Sequence, residues 1–104
     1  MASTVKNEPD HNRYVILVDD IEAGEAAYRN HDGQTVIVHT EISPKFGGQG
    51  LGSTLIRFAL DDLRSTGREV LPQCPFVRTF ITKNPEYLDL VPAASRQRFG
   101  LPAA

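Results

Sequence analysis

Four of the six residues from 47 to 52 are glycine, in the run Phe46–Gly47–Gly48–Gln49–Gly50–Leu51–Gly52–Ser53. Glycine lets a backbone approach a bound group closely and turn successive N–H groups towards it. Leu51, Leu55, Ile56, Ala59, Leu60 and Leu63 then recur at helical spacing. The glycines therefore lead into a helix N-terminus, whose unpaired donors and dipole favour an anion. A plain strand-to-helix turn needs fewer glycines, so the segment reads as an anion grip. Two nucleotide loops do not fit it. Gly47-x-x-x-x-Gly52 has the spacing of a triphosphate loop, but Ser53 follows with no Lys before it. Gly48-x-Gly50-x-Gly52 departs from the dinucleotide fingerprint, and no acidic residue ends a following strand about 20 residues on.

Three further side chains could do chemistry. His39 and Glu41 are two apart in a strand-like run, so they share a face. There they could position a water or accept a proton from an amine, or simply form a polar pair at a strand end. Cys74 is the single cysteine. It sits just before Pro75, where a helix start would favour its thiolate over a thiol of ordinary pKa near 8.5. The bland reading of such a residue is a small buried side chain in a turn. One cysteine excludes an intramolecular disulfide framework and a multi-cysteine zinc site, and His11 and His31 have no spaced partners for a metal.

The elements that must position these residues are legible from periodicity. Tyr14–Val15–Ile16–Leu17–Val18 is a strand stopped by Asp19–Asp20. Residues 22–29 carry helix-favouring alanines, but Gly24 interrupts them and the run is short. Asp32–Gly33 then supplies the positive φ of a tight hairpin, so 22–29 reads as a strand paired with 34–42. In the strand 35–42, Val36, Val38, Thr40 and Ile42 should point to one face and Thr35, Ile37, His39 and Glu41 to the other. Its first half is apolar on both faces, which suggests a central strand covered on both sides. A helix over about 50–65 follows, ending at Gly67 as a left-handed cap. Residues 69–71 form a short strand stopped by Pro72, and Pro75 opens a helix to about Thr82. Lys83–Asn84–Pro85 breaks that helix, and 86–90 forms one more short turn. Residues 1–11 read as a flexible lead-in, 12–91 as the domain and 92–104 as a peripheral tail.

Three blocks in this order resemble the small, single-domain members of the GNAT N-acetyltransferase superfamily. They are His39–Thr40–Glu41–Ile42 with the glycine run, Pro72–Gln73–Cys74–Pro75–Phe76–Val77, and Asn84–Pro85–Glu86–Tyr87–Leu88–Asp89–Leu90. Gly50 and Gly52 match the two glycines of that superfamily's Gln/Arg-x-x-Gly-x-Gly/Ala pyrophosphate loop, while Gly47 stands where Gln or Arg is usual. Asn84 stands where the small members usually have His. The resemblance covers roughly residues 14–91. It implies an α/β fold: a twisted, mixed but mostly antiparallel sheet flanked by helices, with strands 35–42 and 69–71 parallel through a right-handed crossover. It implies acetyl-CoA as cofactor, held by Thr40, Ile42, Gly47, Gly48, Gln49, Gly50, Leu51, Gly52, Ser53 and Asn84. The acetyl group would pass to an amine. Glu41 or His39 would serve as base, Tyr87 as proton donor to the thiolate, and Cys74 as nucleophile or thioester-proximal group. A chain this short leaves the acceptor site open, or formed with a second copy or another protein.

Bulk properties bound the alternatives. At 104 residues, 40% hydrophobic, the chain is one domain with a real core. A formal charge of -2 gives no basic footprint for nucleic acid. No stretch approaches the roughly 18 apolar residues of a membrane span, and the N-terminus lacks an apolar signal core, so a cytoplasmic protein is expected. Against an acetyltransferase stand a non-catalytic acyl-CoA-binding or protein-interaction module and a structural domain without ligand.

Overall fold

The computed structural model describes residues 3–102. Five strands, β1 (Ser3–Glu8), β2 (Arg13–Val18), β3 (Ile21–His31), β4 (Gln34–Ile42) and β5 (Glu69–Pro72), form one sheet in sequential order. The first four are antiparallel neighbours and β5 runs parallel to β4. Helix α1 (Leu51–Ser65) connects β4 to β5, as the spacing of its leucines requires. Helices α2 (Pro75–Lys83) and α3 (Ala93–Arg96) follow, separated by a 3-10 turn over Pro85–Leu90.

The core lies between α1 and one face of the sheet. Leu55, Ile56, Ala59 and Leu60 are fully buried against Tyr14, Ile16, Tyr28, Ile37 and Val70. Truncating Leu55 or Leu60 to Ala would cost about 2–5 kcal/mol, from lost burial and the cavity left behind. Gly67 ends α1 with φ +74, and the Arg68 N–H closes onto the Leu63 carbonyl at 3.0 Å, satisfying an orphan acceptor of the last turn. Asp32 (φ +46) and Gly33 (φ +80) make the expected hairpin turn, with His31 paired to Gln34. Residues 22–29 are strand because Gly24 permits it. A Cβ there would sit 2.5 Å from Ile42 Cδ1 and 2.6 Å from the Glu41 carbonyl oxygen.

Three expectations are corrected. Residues 3–8 of the expected lead-in are an edge strand, with Asn7 accepting the Tyr28 hydroxyl at 2.6 Å and Glu8 paired with Arg13 at 2.7 Å; Met1 and Ala2 lie outside the described residues. The tail is not peripheral up to residue 101. Leu101 is buried in the core, and the Arg96 Nε donates to the Val91 carbonyl at 3.1 Å; Ala103 and Ala104 lie outside the described residues. The alternation along β4 fails at its middle. Tyr28 pairs with Ile37 but Ala27 pairs with His39, so Val38 is an extra residue in a β-bulge. Thr35 and Ile37 therefore share the α1 face with Thr40 and Ile42, while Val36 and Val38 share the far face with His39 and Glu41.

Candidate active site

β5 pairs with β4 only from Gln34↔Glu69 to Ile37↔Pro72. Pro72 brings no N–H to continue the ladder, and the Gln73 N–H turns back onto the Leu71 carbonyl at 3.0 Å, which peels the chain away from β4. The last link is the Cys74 N–H to the Ile37 carbonyl at 2.9 Å. Beyond it, residues 38–42 of β4 have no strand on their β5 side among the described residues. The two strands thus open like a V at their carboxyl ends, where a parallel pair commonly receives its ligand.

Both helices that follow these strands begin beside the opening. Gly50 caps α1 in the left-handed conformation (φ +71), and Gly48 is left-handed too (φ +79). No side chain caps α1, and no acidic residue stands in its first turn. The first intrahelical bond runs from the Thr54 N–H to the Gly50 carbonyl at 3.2 Å, so the N–H groups of Leu51, Gly52 and Ser53 are left as donors. Gln49 is exposed in the turn between the two left-handed glycines, and Leu51 anchors the turn by burying its side chain. Gly52 has a different reason to be glycine: a Cβ there would meet the Phe76 ring at 2.8 Å, at the start of α2. Gly47 has neither constraint, with φ -62 and ψ 152.

Cys74 is the residue immediately before α2, as Pro75 at the first helical position implies. It is 4% exposed, and its thiol donates to the Thr40 hydroxyl at 3.4 Å. Two of the sequence candidates, one from each arm of the V, are thus in contact. His39 and Glu41 also meet, with 3.8 Å between Nε2 and Oε1, and both are well exposed. Because of the Val38 bulge they lie on the far face of the sheet, opposite Thr35 and Ile37. Ile42 packs against the core.

Tyr87 stands elsewhere. Its ring is buried beside Phe80, and its hydroxyl donates to Asp61 Oδ1 at 2.7 Å while accepting from Arg57 at 3.3 Å. Burial, and then the Asp61 carboxylate, push its phenol above the ordinary value. It shares no partner with Cys74 or Thr40. Asn84 belongs to the same cluster, with its amide donating to the Phe80 carbonyl at 2.9 Å and its Oδ1 accepting from Arg57 at 3.2 Å. Sequence reasoning passed over Arg57 and Asp61. Their i, i+4 spacing on the outer face of α1 is a weak signal, since it is what any solvated helix shows.

The profile of the GCN5-related N-acetyl-transferase family matches residues 13–90. No curated protein matches the chain. Among solved structures it is similar to a GCN5-like protein from Staphylococcus aureus, studied in solution by NMR, with 25% identity and a TM-score of 0.66 over 86% of this chain and 87% of that one. It is also similar to a GNAT family acetyltransferase from Brucella melitensis in complex with acetyl-CoA, with 25% identity and a TM-score of 0.52 over 65% of this chain and 50% of that one. Ard1 from Thermoplasma volcanium shares the fold at 20% identity and a TM-score of 0.51, over 57% of this chain and 41% of that one. The profile match spans most of the chain that builds the opened strands and the glycine-capped helix, and this protein belongs to the GCN5-related N-acetyltransferase family.

Proposed function

We propose that this chain binds acetyl-CoA in the V between β4 and β5 and transfers its acetyl group to an amine. The observation that carries this reading is the uncapped N-terminus of α1, with left-handed Gly48 and Gly50 before it, beside a stretch of β4 that is open on its β5 side. The N–H groups of Gly50 to Ser53 suit the diphosphate. The free edge of β4 at 38–42 suits the amide-bearing arm, which would extend the sheet as an added strand does.

In the transfer, His39, or Glu41 through a water, takes the proton of the amine as it attacks the thioester carbon. A backbone N–H on the free edge of β4 holds the carbonyl oxygen as negative charge develops there. The C–S bond breaks, and the leaving thiolate takes the proton of the Thr40 hydroxyl, which takes the Cys74 thiol proton in its place; solvent then returns a proton to Cys74 and carries off the one that His39 or Glu41 took from the amine. A covalent route through Cys74 would require its thiol to leave Thr40 and become exposed, so burial favours direct transfer. Gly47 favours one other reading, a binder with little turnover, because no side chain stands at the position where the family's loop has Gln or Arg.

Incubation with acetyl-CoA and a mixed set of amines, following free thiol release, separates these readings. Amine-dependent release is expected, slowed in Cys74→Ala, with no acetyl adduct on wild-type Cys74 in acid-quenched intact-mass spectra. Equal rates for wild type and Cys74→Ala would remove the cysteine from the chemistry. Release no faster than without protein would leave only the binder.

A further inference from the structure

On the far face of the sheet a groove of about 650 Å³ lies over β4 and β5, floored by Val36, Val38 and Leu71. This is a size suited to a small ligand. Arg29, Arg78 and Arg98 line it, and no acidic residue does. The three come from separate parts of the chain: β3, α2 and the segment after α3. Arg29 is brought there by its pairing with Val36 across the β3–β4 ladder. Among the described residues, no guanidinium of the three forms a hydrogen bond or ion pair; Arg98 only stacks on Phe99, 4.6 Å from the ring centroid, which leaves its in-plane donors available. Elsewhere arginines meet carboxylates directly, as Arg13 meets Glu8, Glu22 and Glu25 and Arg64 meets Asp89. Three arginines without a carboxylate partner facing one groove, in a chain of net charge -2, form a local concentration of positive charge that an anion would balance.

The groove adjoins the proposed chemistry. Its floor ends at the bulge residue Val38, next to His39, and Gln73 on its wall precedes Cys74. We infer that the groove is the acceptor site, and that the acceptor is a small amine carrying at least one carboxylate or phosphate. The guanidiniums hold the anionic group by forked hydrogen bonds, the apolar floor takes the carbon skeleton, and the amine lies towards His39 at the V. This assignment rests on the acetyl-transfer reading for its chemistry, but the anion preference can be read without turnover.

The test labels the methyl groups of Val36, Val38 and Leu71 and titrates the protein with matched amines, with and without saturating coenzyme A. Phosphoethanolamine is compared with ethanolamine, glutamate with glutamine, and glucosamine 6-phosphate with glucosamine. At least one anionic member should shift the methyl signals where its partner does not, and Arg29→Gln with Arg98→Gln should weaken it by roughly tenfold or more for each arginine removed. The same amine should then show the highest kcat/KM in thiol release. Equal shifts within every pair, no shift with any member, or no effect of the arginine variants overturns the assignment. Failure of the underlying reading looks different, since there acetyl-CoA itself leaves the protein's melting temperature unchanged.

Discussion

Replacing Tyr87 with Phe separates a structural tyrosine from a catalytic one. The change removes only the hydroxyl, which donates to Asp61 at 2.7 Å and accepts from Arg57 at 3.3 Å. A hydrogen bond to a carboxylate contributes about 1.5–3 kcal/mol when both groups are withdrawn from water. Here Asp61 is exposed and would be rehydrated, and Arg57 keeps Asn84 at 3.2 Å and the Glu86 carboxylate at 3.6 Å. The loss should therefore lie at or just below the low end of that range, about 1–1.5 kcal/mol. For a domain of this size that lowers Tm by about 4–12 °C. Thermal unfolding followed by circular dichroism measures it, and thiol release at a temperature where both proteins are folded gives the rate. The structure predicts a lower Tm with turnover close to wild type. An unchanged Tm with a rate reduced by about 10²-fold or more, the usual effect of losing a proton donor, would refute the placement of Tyr87 as a clasp between α1 and the 85–90 turn.

Two more predictions concern the loop and the tyrosines. Gly47 has an ordinary extended conformation, and a Cβ there would make only a 3.5 Å contact with the Pro44 carbonyl oxygen. Gly47→Arg should fold unimpeded and bind acetyl-CoA about tenfold more tightly, through one charge-assisted contact to phosphate; equal affinity in calorimetry would argue that the diphosphate lies elsewhere. Burial, the largest cause in each case, raises the phenols of Tyr14, Tyr28 and Tyr87 above their ordinary value near 10. The folded state then holds protons that the unfolded state releases, so this contribution is fully present below about pH 10 and is lost as pH rises beyond it. Phenolate absorbance of the folded protein should therefore appear above the ordinary tyrosine range, and tyrosines titrating at their ordinary value in the folded protein would contradict the packing.

The parts of this fold that sequence reveals are those where one local rule decides. Asp32–Gly33 demands a hairpin, the leucine spacing of α1 demands one buried face, and the glycine turn with Pro75 fixes where both helices begin. Each of these is present at the expected residues. The rest depends on contacts distant in sequence. β1 has only Val5 as an apolar residue, and its pairing with β2 is backbone bonding that any side chains permit. Asp19–Asp20 turns the β2–β3 hairpin with both residues at positive φ, where a glycine would have signalled it. The Val38 bulge leaves no mark in a run of β-branched residues, yet it decides that His39 lies on the far face of the sheet and not on the core face. The role of Tyr87 was hidden for the same reason, because Asp61 lies 26 residues away and nothing in their spacing links them.

If the turn from Gly48 to Ser53 grips the diphosphate of acetyl-CoA, its backbone amides should move during an acetyl-CoA titration followed by NMR. The largest changes are expected at the N–H groups of Gly50, Leu51, Gly52 and Ser53, with smaller ones along residues 38–42. A stabilisation of about 2.7 kcal/mol is also expected when acetyl-CoA is at a hundred times its Kd. Unmoved amides across 48–53, together with an unchanged Tm at millimolar acetyl-CoA, would contradict that grip.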